Sequence, residues 1–121
     1  MVPFLRNRGF KLDNRLKKEK DFSRVLKKGE KVYTDSLTLV MMPEKETKVG
    51  YAVGKRHGKS VQRNRVKRLL RESFRSFKLK DAQNFFFVII PKVKEEYSYD
   101  KFVKDLGYAF KRKGLIWTLL S

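Results

Sequence analysis

Val66, Leu69, Leu70, Phe74 and Phe77 follow Ser60 at i, i+3, i+4, i+8 and i+11. That spacing is the mark of one buried helical stripe. At 100° per residue the five fall within about 140° of arc. The opposite arc carries Asn64, Arg65, Lys67, Arg68, Arg71 and Arg75, with Glu72 the exception, and Arg63 lies near the edge of the apolar stripe. The pattern predicts an amphipathic helix with a basic outer face. Ser60 is its expected N-cap, because its hydroxyl can accept a first-turn N–H. Gly54 and Gly58 flank the preceding loop and allow tight turning.

The same reading orders the rest of the chain. Lys17–Lys28 holds Phe22, Val25 and Leu26 at i, i+3 and i+4, a short helix with Gly29 expected at C′. Val32–Met42 alternates as a strand that a turn at Asp35-Ser36 can split. After a polar connection at Pro43–Thr47, Val49–Val53 reads as the next strand, and the two are expected to pair antiparallel. Faces carrying Val40 or Tyr51 could floor a cleft. Phe85–Ile90 is a continuous apolar run closed by Pro91, which predicts a strand buried on both faces. Strand, helix and strand in that order imply a parallel crossover. Ser98–Lys113 predicts the last helix, capped by Ser98 or Asp100, lined by Phe102, Val103, Leu106, Ala109 and Phe110, and ended by Gly114. Leu115–Ser121, with Trp117, is apolar and adds a short helix or covers an edge. Residues 1–15 lack periodicity and read as a mobile basic arm bearing Arg6, Arg8, Lys11 and Arg15.

Charge turns this layout into a function class. The chain has 121 residues, enough for one domain, and a net charge of +18. Residues 55–80 contribute +10, residues 1–31 +7, residues 81–121 +2 and residues 32–54 −1. A basic face this concentrated calls for a polyanion. The two basic segments would form one surface if the first helix packed near the central one. No run is long enough to span a membrane, and the start lacks the apolar core of a signal peptide. Without cysteine there is no disulfide framework and no zinc finger, in keeping with a reducing cytoplasm. No obligate protein partner is evident.

The loop and first turn suit phosphate. Free N–H groups and the positive end of the helix dipole face outward there. Arg63 and Arg65 add planar guanidinium forks, and Asn64 between them both donates and accepts.

Gly58-Lys59-Ser60-Val61-Gln62-Arg63-Asn64-Arg65-Val66-Lys67-Arg68-Leu69-Leu70-Arg71-Glu72, with Val53-Gly54-Lys55-Arg56 before it, resembles the Arg-Asn-Arg signature of the bacterial ribonuclease P protein subunit. Arg15-Leu16-Lys17-Lys18-Glu19-Lys20-Asp21-Phe22 looks like the same family's first helix and its approach. The resemblance implies an α+β two-layer sandwich in the order α-β-β-β-α-β-α. Its mixed sheet has about four strands, its helices pack on that sheet, and its βαβ crossover is left-handed, against the usual preference. It implies that Arg63, Asn64, Arg65, Lys67, Arg68 and Arg71 face a catalytic RNA, with Lys55, Arg56 and Lys59 in the basic loop beside them. It implies that Phe22 lines a cleft for the single-stranded 5′ leader of precursor tRNA. A second aromatic position of that cleft is Leu26 here, which removes one stacking surface. It further implies magnesium ions held mainly by the RNA partner, which is the catalyst. The protein would then assist removal of the 5′ leader.

The residues themselves agree that catalysis is not carried by protein. Phosphodiester hydrolysis needs an activated nucleophile and stabilised leaving-group charge. The single histidine, His57, lies in the basic loop and reads as a loop residue or an auxiliary phosphate donor. Asp13, Glu19 and Asp21 have no metal-ligand spacing, and Glu95-Glu96 falls in a loop. Three other readings remain at this level. A ribosomal-type RNA-binding protein is the first, since one fold can host either role. A DNA-binding module is the second, although an all-basic helix suits backbone contact better than base reading. A protein-only nuclease is the third.

Overall fold

The computed structural model describes residues 15–80 and 84–116. The elements run α1 (Glu19–Lys28), β1 (Glu30–Tyr33), β2 (Leu37–Glu44), β3 (Lys48–Tyr51), a 3-10 turn (Lys55–His57), α2 (Ser60–Arg75), β4 (Asn84–Pro91) and α3 (Tyr99–Arg112). This is the expected α-β-β-β-α-β-α order, built on a mixed four-stranded sheet in the spatial order β1-β2-β4-β3. The basic arm expected over residues 1–15 falls, except for Arg15, outside the described residues, as do residues 117–121 of the C-terminal stretch, Trp117 included.

β4 sits in the middle of the sheet. Val88 pairs with Val40 of antiparallel β2 and with Gly50 of parallel β3. The expected direct pairing of the second and third strands is therefore wrong. Phe85, Phe86, Phe87, Val88 and Ile89 are all buried, and an interior place covers such a strand on both faces and both edges. The parallel crossover through α2 is present. Beyond β3, Arg15 forms a parallel bridge with Val49, and the Leu16 N–H donates to the Val49 carbonyl at 2.9 Å. The chain ahead of α1 thus runs along the β3 edge.

Alternation along the strands divides the core. Val32, Leu39, Met41, Val49, Phe87 and Ile89 face α2 and α3, whose Val66, Leu70, Phe74, Phe102, Leu106 and Phe110 complete the larger cluster. Phe74, Phe87 and Phe110 meet edge to face at centroid distances of 5.6–5.9 Å. On the other face Val40, Phe86 and Val88 join Leu16 and Val25 of the α1 region. Helices therefore cover both faces, and the first and central helices lie on opposite sides of the sheet.

Several local expectations change. Ser60 is the first residue of α2 rather than its cap, and Lys59 at the cap position makes no side-chain cap bond. Gly29 ends α1 at φ −74°, not in the left-handed region. Its glycine identity is required by packing, since a Cβ would meet the Val25 carbonyl oxygen at 2.6 Å and Val40 Cγ1 at 2.8 Å. The cap of α3 is Ser98, whose hydroxyl accepts the Lys101 N–H at 3.2 Å, and Gly114 follows at φ +71°.

Candidate nucleic-acid interface

The basic loop and α2 are fixed from behind by the core and left open in front. Val66 and Leu70 are fully buried, and Phe74 is nearly so. The apolar stripe therefore locks the rotation of α2. Asn64, Arg65 and Arg68 point to solvent, while Arg63, Lys67 and Arg71 flank the stripe half-buried. Their aliphatic stems cover apolar surface while the charged ends reach out. Lys55, Arg56 and Lys59 are exposed in the loop. Among the described residues, none of these eight cations has a carboxylate within ion-pairing distance; every ion pair lies elsewhere. Such a face stores repulsion that a polyanion relieves.

Gly58 makes the corner between loop and helix. At φ +115° it occupies backbone space that L side chains rarely adopt, and a Cβ there would stand 2.7 Å from Gln62 Cγ. Gly54, at φ −124°, is ordinary extended chain. His57 is tied at both ring nitrogens. The Gly54 N–H donates to Nδ1 at 3.0 Å, and Nε2 lies 2.7 Å from the Pro91 carbonyl oxygen. Nδ1 must then be unprotonated and Nε2 carries the hydrogen. Of the two readings the sequence allowed, this use of both nitrogens agrees with a loop residue. The sequence held no signal for it, because Pro91 lies 34 residues away.

While the first and central helices lie on opposite faces of the sheet, Arg15, from the first basic segment, lies at the β3 edge. Tyr51 is half-buried there, and burial pushes its hydroxyl above the usual phenol range. The positive charges of Arg71, Arg75 and Arg15 oppose that shift. The sequence offered Tyr51 as part of a possible cleft floor and Arg15 as part of the basic arm, but gave no sign that the two lie near each other.

Phe22 lies on the other face. Its ring is half-buried over Gly50, against Leu16, in the smaller cluster with Leu26 and Val40 nearby. Beside it Arg24 pairs with Glu44 and with Asp21 (3.4 Å), and its guanidinium lies 5.7 Å from the centre of the Phe86 ring. The bond to Glu44 is the main cause of an upward shift in the Arg24 pKa. Lys48 Nζ is 6.0 Å from the same ring centre. So Phe22 belongs to an aromatic and charged cluster on the opposite face of the sheet from α2. Among the described residues no three His, Asp or Glu side chains gather to hold a metal ion. No described helix is long and apolar enough to cross a membrane.

A small α+β protein whose basic loop-helix face has no carboxylate partner among the described residues has the charge layout of an RNA-binding module. Residues 10–114 match the family model described as Ribonuclease P. The ribonuclease P protein component of Bacillus velezensis is 33% identical over 105 residues, covering 84% of this chain and 90% of the relative. That of Bacillus cereus strain AH187 is 31% identical over 109 residues, covering 87% and 95%. Among solved structures, the Staphylococcus aureus RNase P protein matches with TM-score 0.73 at 25% identity, covering 86% of this chain and 98% of its own. The RNase P protein from Thermotoga maritima matches with TM-score 0.68, also at 25% identity, covering 81% and 96%. The chain belongs to the ribonuclease P protein family.

Proposed function

We propose that this chain is the protein subunit of a ribonuclease P in the cytoplasm. It binds the catalytic RNA through the basic loop and α2, and the 5′ leader of precursor tRNA through the cleft at Phe22. The enzyme so assembled removes the leader endonucleolytically and leaves the mature tRNA 5′ end. The observation that carries this reading is the set of eight cations, Lys55 to Arg71, without an acidic partner among the described residues. Phosphate oxygens would supply the missing counter-charge, aided by the N–H groups at the start of α2.

The chemistry is assigned to the RNA. Among the described residues no group of side chains fits a protein-held magnesium site. Asp21 and Glu44, the carboxylates beside the cleft, are both engaged by Arg24. In this reading the chain takes no direct part in the metal chemistry. Its part is to neutralise phosphate repulsion and to hold the leader in place, which lowers the cost of bringing two RNAs together.

Reconstitution tests the proposal. The protein is mixed with a bacterial ribonuclease P RNA at low magnesium, and 5′-leader removal from precursor tRNA is followed. Cleavage that needs both components is the expected result. Tight RNA binding without stimulation would favour a ribosomal-type role, and cleavage by the protein alone would point to a protein active site.

A further inference from the structure

The basic loop carries three exposed cations within five residues, Lys55, Arg56 and Lys59, and their mutual repulsion favours opening it. Little holds it shut. The His57 N–H donates to the Gly54 carbonyl at 2.9 Å and the Gly58 N–H to the Lys55 carbonyl at 3.1 Å, both inside the loop. Among the described residues, the one hydrogen bond from residues 54–59 to the sheet is His57 Nε2 to the Pro91 carbonyl, at 2.7 Å. Its anchor is firm. Pro91 ends the central strand opposite Leu37, and the Lys92 N–H donates to the Ser36 carbonyl at 2.9 Å. At the same time Nδ1 receives the Gly54 N–H at 3.0 Å, where the chain leaves β3. One neutral ring thus joins the entry of the loop to the exit of the strand beside it.

We propose that His57 is a positioning residue of the RNA interface. It holds Lys55, Arg56 and Lys59 where phosphates can meet them all at once, without touching RNA itself. The inference rests on the reading of the loop as an RNA contact. A neutral bridging group suits the task, because a further cation here would add to the repulsion. Fixing the loop before binding removes the cost of ordering its backbone on the RNA.

The test is a thermodynamic cycle on the full chain, binding a bacterial ribonuclease P RNA at several salt concentrations. His57→Leu removes both ring bonds. His57→Gln keeps an amide N–H that can reach Pro91, and serves if the leucine variant fails to fold. His57→Leu is expected to weaken binding about fivefold, with His57→Gln recovering part of the loss. His57→Lys is expected to weaken binding too, in spite of its added charge. In a background of Lys55→Ala, Arg56→Ala and Lys59→Ala, His57→Leu should have no further effect, because the groups it positions are gone. Equal losses in both backgrounds would overturn the proposal, as would tighter binding by His57→Lys, the sign of a direct phosphate contact. If the triple variant binds like the parent, the loop is not an RNA contact, and both that reading and this inference fail together.

Discussion

The ring of Phe22 occupies the space in which a side chain at residue 50 would stand: a Cβ on Gly50 would lie 2.6 Å from Phe22 Cζ and 2.8 Å from Cε2. Strand β3 is bare at this point so that α1 can lay an aromatic ring directly on its backbone. Gly50→Ala is expected to cost about 1–3 kcal/mol, the usual penalty for overpacking. In a Phe22→Leu background the same change should cost much less, since the shorter side chain frees the space. Denaturant midpoints of the four proteins measure the difference. An undiminished cost would assign the strain to Leu16, whose Cβ is the next neighbour at 3.2 Å.

Phe22 also offers a test of the leader cleft. Its ring tip is spent on Gly50, and the residue stays half-buried rather than sealed. Phe22→Leu keeps most of the apolar volume and loses the flat face. Stacking of a base on an aromatic ring is worth about 1–3 kcal/mol. The reconstituted enzyme carrying Phe22→Leu should therefore bind precursor tRNA at least about fivefold more weakly, with mature tRNA unaffected. Equal loss for both RNAs would place the residue in the core alone.

The contrast between these two positions shows what a sequence can and cannot reveal. The burial of Val66, Leu70 and Phe74 was legible because helical periodicity is local, and the same holds for the buried strand at Phe85–Ile90. The basic face was legible for the same reason: once the buried stripe is known, Arg65 and Arg68 must point away from it. The neighbour of β3 was not legible, because strand pairing is a contest between segments far apart in sequence. The apolar β4 took the place beside β3 that adjacency had given to β2. The need for glycine at positions 29 and 50, and the tether from His57 to Pro91, likewise depend on groups that only the folded chain brings together.

Arg65 is exposed on α2 and has no carboxylate partner among the described residues. If it meets one phosphate, Arg65→Ala should reduce the slope of log affinity against log salt by about 0.7 to 0.9. Glu72→Ala, on the same helix, removes an acid and should not reduce the slope. Titrations against ribonuclease P RNA over a range of salt would distinguish the two. An unchanged slope for Arg65→Ala would take that side chain out of the interface.

Asp105 is buried in α3 and accepts from Ser36 twice, from the backbone N–H at 2.9 Å and from the hydroxyl at 2.5 Å. It fastens the turn between β1 and β2 to the last helix. Asp105→Ala would leave two buried donors without a partner, at about 2–4 kcal/mol. Ser36→Ala loses only the hydroxyl bond and should cost about 1 kcal/mol. Thermal or denaturant unfolding would rank the variants, and equal stability for the two would mean that the backbone N–H bond contributes little.

Asp35, in the same turn, behaves differently because it is exposed. Its carboxylate lies 2.8 Å from Lys101 Nζ and 3.8 Å from Lys94 Nζ. The bond to Lys101 is the main reason that its pKa sits below the usual carboxylate range. Folding therefore favours the charged form. The resulting stabilisation is fully present above the unfolded value of about 3.9 and fades as pH falls through the lower folded value. Solvent screening keeps it small. Asp35→Asn should melt slightly below the parent at neutral pH, and the gap should close in acid and shrink in high salt. A gap that widened as pH fell would mean that the neutral carboxyl, not the ion pair, holds the turn to α3.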